Sequence, residues 1–257
     1  MAASATRRYT CASLRQPQEG KAISRPANTH LYDEPAYRAA EAARMIALPA
    51  GTVKAWCFGH DYVQASGKPK RFKPLVTPAD GKARLLSFNN LCELHMLVAI
   101  RRHYRVSMPS VRSSLSYVRK VLQTPRPLLA GDFLTNAVHL FIGHAGGLLN
   151  TSREGQASLS SDFQRELQRV ERDKHGSPVR LFPTTRGLAA ALDSPRSVVV
   201  DPKLSFGRPV LARAGVATAV IQDRFLAGDS PREMAQDYGV DEPDIWEALR
   251  FEQRLAA

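Results

Sequence analysis

Residues 32–58, YDEPAYRAAEAARMIALPAGTVKAWCF, decide how the rest of the chain is read. Ala36, Ala39, Ala40, Ala43 and Ile46 recur at three- and four-residue spacings, which predicts a helix opening after Asp33, Glu34 and Pro35 with one apolar stripe. Leu48-Pro49-Ala50-Gly51 ends it, because a proline disfavours helix in the residue before it and supplies no backbone donor. A second short helix follows over residues 52–58, with Val53, Trp56 and Cys57 on its inner side and Thr52, Lys54 and Ala55 free. Two helices joined by a tight turn, the second presenting small and basic residues in its first turn, are spaced as in helix-turn-helix DNA readers. The same pattern also fits two helices of an ordinary helical core, so the choice rests on what surrounds it.

The surroundings are basic. The chain has 257 residues, 44% of them hydrophobic, enough for two modest domains each with a core. Its formal net charge is +12, and its pI of about 10.0 points to a polyanionic partner rather than an acidic metabolite. Residues 194–257 hold 8 Lys/Arg against 10 Asp/Glu, which leaves 28 against 14 in residues 1–193. The polyanion therefore belongs to the first three quarters. No apolar run approaches the roughly 20 residues of a membrane span, and the start lacks the apolar segment of a secretion signal, so no membrane partner is expected. Cys11, Cys57 and Cys92 are odd in number and scattered, which argues against a disulfide framework and fits a cytoplasmic location.

The predicted fold class is mainly α with small β-hairpins: an N-terminal winged helix-turn-helix and a small C-terminal domain of similar helix-turn-helix shape. Residues 1–30, with Arg7, Arg8, Arg15, Lys21 and Arg25, read as a basic flexible arm, either a solvated tail or a minor-groove contact. Residues 31–126 form the DNA-binding domain with its helical extension. Within it, Tyr62, Val63, Phe72, Leu75 and Val76 bracket a hairpin whose tip carries Lys68, Lys70, Arg71 and Lys73, placed as a wing against phosphates. Helices are predicted over residues 86–104, capped by Ser87, and from Ser107 with Pro109 in its first turn. Between Arg84 and Arg126 there are eight Lys/Arg and one acid, Glu93, so Arg101, Arg102, Arg105 and Arg112 join Thr52 and Lys54 as candidate DNA contacts.

Residues 127–193 read as connecting structure: a hairpin of residues 137–142 and 148–151 around a glycine-rich turn, a helix over 160–174 and a strand over 179–182. In residues 194–257 a strand at 197–201 and a helix at 216–226 precede Ser230-Pro231-Arg232-Glu233, a capping box with proline at the first helical position. That helix ends at Gly239, and a last helix follows Asp241. Its exposed side is rich in carboxylates, which repel phosphate. A partner-binding or dimerising role therefore falls to this domain, with Arg224, Phe225, Trp246, Leu249 and Phe251 as candidates.

Val200-Asp201-Pro202, Phe206-Gly207-Arg208-Pro209, Asp223-Arg224-Phe225, Ala227-Gly228-Asp229-Ser230 and the run from Met234 to Val240 closely resemble the C-terminal domain of VapB-type antitoxins. Glu41-Ala42-Ala43-Arg44, Thr52-Val53 and Trp56 are similar to the MerR-like winged helix-turn-helix. The resemblance implies a PIN-like ribonuclease toxin as partner, operator DNA of its own operon, autorepression and a homodimer. The alternative is a stand-alone transcriptional regulator whose C-terminal domain only dimerises.

Catalytic chemistry finds little support. There is no phosphate loop, His-Glu-x-x-His pair, paired-cysteine zinc pattern or Gly-x-Ser-x-Gly elbow, and no cofactor is expected. Cys92, His95 and His103 supply at most three ligands from one helix, and a helix face with a buried cysteine explains them more simply. An RNA-processing enzyme built on the scattered histidines, His144 included, is the third reading.

Overall fold

The first helix starts later than its alanines suggest. In the computed structural model, which describes residues 31–63, 66–130, 150–151, 157–158, 161–186 and 194–256, α1 spans Ala39–Met45. Tyr37–Arg38 are instead a strand, β1, and Ala36 N–H donates to the Leu86 carbonyl at 2.9 Å. Ala36 and Ala40 are thus exposed, and the buried face is Ala39, Ala42, Ala43 and Met45. A single left-handed residue, Ala47 (φ 54°), turns the chain into α2, Ala50–Phe58, whose inner residues are Val53, Trp56 and Cys57 as expected.

The hairpin follows directly. β2 (His60–Val63) pairs antiparallel with β3 (Pro69–Phe72), with His60 opposite Phe72 and Tyr62 opposite Lys70. β4 (Leu85–Leu86) closes back on β1, Tyr37 opposite Leu86. Helix α3, Phe88–Tyr104, is capped as its sequence suggests: Ser87 Oγ accepts from Asn90 N–H, and Asn90 Oδ1 accepts from Ser87 N–H. Residues 90–100 are buried on every side, so α3 is the central helix rather than one with a single buried side. Helix α4, Met108–Leu122, buries Val111, Ser114, Leu115 and Val118.

In the connecting part, the helix expected over 160–174 stops early. α5 covers Ser161–Leu167, and Val170–Arg172 is a strand, β7, paired with β8, Pro178–Leu181. Buried Arg169 forces the change: its guanidinium donates to the carbonyls of Phe182 and Ser194, which requires the chain to leave helix and run beside them. The hairpin expected around Gly143 and the arm of residues 1–30 lie outside the described residues. Asn150–Thr151 (β5) pairs with Ala157–Ser158 (β6).

The C-terminal part hangs on a bridge from Leu181 to Val200 and on β9 (Val198–Val199) with β10 (Val210–Leu211). Three helices complete it: α6 (Thr218–Leu226), α7 (Pro231–Tyr238) and α8 (Glu242–Ala256). The Ser230–Glu233 capping box and the left-handed Gly239 stand where the sequence puts them. Every sheet among the described residues is a two-stranded antiparallel pair. One contiguous set of buried side chains runs from Tyr32 through α3 to Phe251 in α8. Polar bonds cross between the parts as well: Arg102 to Glu166 at 3.0 Å, Arg186 to Glu247 at 2.9 Å, and Tyr37 hydroxyl to the Gly207 carbonyl at 2.9 Å.

Candidate nucleic-acid interface

Packing of α2 leaves one side of it outward. Val53, Trp56 and Cys57 are buried, and burial pushes the Cys57 thiol up to about 12, so it is an inert core group. Lys54 is exposed on the opposite side, with Thr52 part-exposed beside it. A shallow cleft of about 670 Å³ opens there, between α2, the hairpin and the ends of α3 and α4; Thr52, Lys54, His60, Arg84, Arg101 and Met108 line it. Across Phe72 lies a second concavity of about 360 Å³, lined by Tyr62, Lys70, Arg71, Lys73 and Arg112.

The arginines of this surface are held by rings. Arg84 lies 4.8 Å from the Phe58 centroid, Arg101 5.6 Å from Trp56 and Arg112 4.3 Å from Phe72. A ring face orients a guanidinium without neutralising it, so the positive charge stays available to an anion. Arg112 is steadied further by donating to the Lys73 carbonyl at 2.6 Å. Lys68, Lys70 and Lys73 are exposed. Arg71 meets Asp61 at 3.8 Å, an exposed pair of little energetic weight that leaves it free to reorient.

Not every predicted cation joins this face. Arg102 is committed to buried Glu166 on α5, and Arg105 sits exposed as the left-handed C-cap of α3. Arg84, in contrast, lines the cleft and is not among the sequence candidates; it sits in a loop with φ 57°, a conformation no periodicity reveals. His60, in β2 opposite Phe72 and stacked on it at 5.0 Å, is not among the sequence candidates either; the hairpin pairing carries it to the cleft.

The C-terminal candidates divide. Arg224 is bound to Asp229 (2.5 Å) and Asp237 (2.7 Å) and lies over Tyr238. Phe225 and Trp246 meet edge to face at 6.1 Å, with Trp246 still 38% exposed. Leu249 and Phe251 must be corrected: at 1% and 0% exposed they are core residues of α8, placed inward by its contacts with α6 and the β9–β10 pair. Cys92 and His95 are core groups too, the His95 ring bonded to the Glu166 carbonyl. Among the described residues no cluster of His, Cys, Asp or Glu is placed to hold a metal ion, and no helix is long and apolar enough to cross a membrane.

A helix-turn-helix followed by a basic hairpin, with a helical C-terminal unit packed on the same core, defines the class. Comparison with known sequences agrees: residues 35–115 match the family described as "Putative DNA-binding HTH domain", and residues 198–251 match "Protein of unknown function (DUF433)". The chain is 29% identical to the "Putative antitoxin VapB45" of Mycobacterium tuberculosis (strain ATCC 25618 / H37Rv), over 85% of this chain and 94% of that protein. It is 24% identical to "Uncharacterized protein Rv2308" of the same organism, over 88% of this chain and 93% of that protein. The crystal structure of Rv2018 from Mycobacterium tuberculosis shares the fold, with a TM-score of 0.64 at 24% identity over 85% of this chain and 99% of that one. The chain is thus similar along most of its length to the protein described as "Putative antitoxin VapB45", and its N-terminal helix-turn-helix falls within the residues that match the "Putative DNA-binding HTH domain" family.

Proposed function

We propose that the protein is a DNA-binding antitoxin: it binds its operon's own operator through α2 and the hairpin, represses it, and neutralises a PIN-like ribonuclease toxin through its C-terminal part. The observation that carries this reading is the cleft where Thr52 and Lys54 of α2 meet Arg84 and Arg101, continued across Phe72 to Lys70, Lys73 and Arg112. The reading helix addresses base edges, and the ring-held arginines and hairpin lysines address phosphates. The similarity over most of the chain to the protein described as "Putative antitoxin VapB45" supports the toxin partner. The protein acts as a regulator rather than an enzyme, as a homodimer in the cytoplasm, the state in which helix-turn-helix proteins usually meet two half-sites.

The test is binding to its own upstream DNA against an unrelated duplex of equal length, at low and physiological salt. Preference for the upstream duplex that survives the higher salt is expected. Equal binding to both that vanishes with salt would reduce the surface to a non-specific polyanion binder.

A stand-alone regulator is the second reading: the C-terminal part shares one core with the helix-turn-helix and so belongs to the same structural unit as the DNA-binding part. Co-expression with the adjacent reading frame separates the two: a stable complex supports the antitoxin, and its absence supports the regulator.

A further inference from the structure

Three successive residues, Ser205, Phe206 and Gly207, occupy the left-handed region with φ of 45°, 56° and 78°. Only glycine enters that region freely, so two side-chain-bearing residues are held against their preference. Gly207 has to be glycine: a Cβ there would lie 2.2 Å from the Tyr37 hydroxyl, which donates to its carbonyl. The rest of the loop is equally restrained. Asp201 accepts from Lys203 N–H through its side chain (2.8 Å) and from Leu204 N–H through its carbonyl (2.9 Å), and Gly207 N–H donates to the Leu204 carbonyl at 2.9 Å. Arg180 fixes the Asp201 carboxylate in turn, at 2.9 Å.

These restraints hold Phe206 96% exposed, with exposed Lys203 and Arg208 on either side. Strained backbone persists where its surroundings over-determine it, and such places concentrate at functional sites. Here an apolar ring is held in water between two cations. The exposed charge of the loop is positive: Lys203 and Arg208 face solvent, while the loop's carboxylate, Asp201, is buried and bonded to Arg180, and Arg213 further on is paired with Asp241. The loop is also fastened through Tyr37 to the strand that opens α1, so it moves with the helix-turn-helix.

We propose that the 203–208 loop is a second nucleic-acid contact, with Phe206 entering a base step of duplex DNA as an apolar wedge and Lys203 and Arg208 taking the flanking phosphates. The proposal rests on the DNA-binding reading above and adds to it a contact outside the helix-turn-helix. Apolar side chains inserted between base steps unstack them and bend the duplex, and basic neighbours secure the bent backbone.

The test uses the full chain and a duplex from the DNA upstream of its gene, dye-labelled at both ends, with binding and end-to-end energy transfer read together. Wild type is expected to bind and shorten the end-to-end distance. Phe206→Ala should still bind, about tenfold more weakly, with the shortening lost and thermal stability unchanged, since the ring touches nothing that folding needs. The double variant Lys203→Glu/Arg208→Glu should lower the slope of log affinity against log salt by about two. An unchanged bend in Phe206→Ala overturns the proposal. So does a changed oligomeric state with the bend intact, which would give the loop to a contact between copies, and so does loss of binding to the toxin alone, which would give it to a protein partner. Lys54→Glu keeps the two readings apart: binding that this change weakens about tenfold while Phe206→Ala leaves bend and affinity untouched retains the helix-turn-helix and removes the wedge. No binding by wild type removes both.

Discussion

The molecule contains the same helix-turn-helix shape twice, in α1–α2 and in α7–α8, and the two differ in where their arginines go. Around α2, Arg84, Arg101 and Arg112 rest on Phe58, Trp56 and Phe72, rings that place a cation without cancelling it. Around α7–α8, Arg213 is paired with Asp241, Arg224 with Asp229 and Asp237, and Arg186 and Arg250 with buried Glu247. Shape alone therefore does not set the charge a surface offers; the carboxylates within reach decide whether each arginine is paired inside the chain or left to face solvent.

The largest effect that sharpens this contrast lies in the C-terminal core. Phe251→Ala should cost about 3–5 kcal/mol in denaturant unfolding, whereas Leu226→Ala, 72% exposed, should stay within about 0.5 kcal/mol. A mild Phe251→Ala that instead lost a partner would return that residue to the surface role its sequence suggests.

In the N-terminal half the buried charge is Glu93, bonded to Arg126 at 2.8 Å and to Asn90 at 3.1 Å. Burial, outweighing Arg126 and Asn90, pushes its carboxyl up from 4.5 to about 7. The folded chain therefore keeps a proton that the unfolded chain releases. The associated stability is fully present below about pH 4.5 and is lost as pH rises through about 7, an effect on the order of 3 kcal/mol. Glu93→Gln should flatten the fall in melting temperature across that window; an equally steep fall in the variant would place its source elsewhere.

Charge reversal breaks the comparison directly. Lys54→Glu should weaken upstream-DNA binding about tenfold and reduce the salt slope by one to two, in units of about one per phosphate. Arg232→Glu on α7, an identical change of net charge at an exposed site, should leave affinity within about twofold. Similar losses in both would mean that only total charge is felt.

The smallest effect concerns the turns. The first helix of each pair ends in a left-handed residue, Ala47 (φ 54°) in one and Gly239 (φ 62°) in the other. Ala47→Gly should gain about 0.5–1 kcal/mol by removing the Cβ penalty, and Gly239→Ala should cost about 1 kcal/mol, although nothing lies within 4 Å of its added methyl group. Thermal melts in opposite directions are the expected result.

Local chemistry was legible. Ser87, Ser107, Ser230 and Gly239 cap the helices their neighbours announce, because a cap is a bond between residues three or four apart. The basic hairpin and the inner face of α2 followed from alternation and spacing, and the uneven charge from counting. The alanine stripe misled by its first member because Ala36 and Tyr37 answer to Leu86, almost fifty residues on, and β-pairing outweighed a helical pattern that alanine fits anywhere. Residues 170–172 read as helix for want of any local sign that Arg169 is buried.

What the sequence determined by itself was thus most of the helices, their caps and the sign of charge in each part, settled by neighbours along the chain, whereas the short strands β1, β4, β7 and β10 came only with the fold. The fate of individual side chains was decided only in three dimensions. Arg101 and Arg102 are adjacent and alike in sequence, yet one rests over Trp56 at the cleft and the other is taken by Glu166 from 64 positions away. Leu249 and Phe251 went inward because α6 and the β9–β10 pair cover them, and Tyr37 found its acceptor on Gly207, 170 positions on. A guanidinium or a ring is placed by whichever partner the fold brings to it, and that partner's distance along the chain leaves no mark on the local pattern.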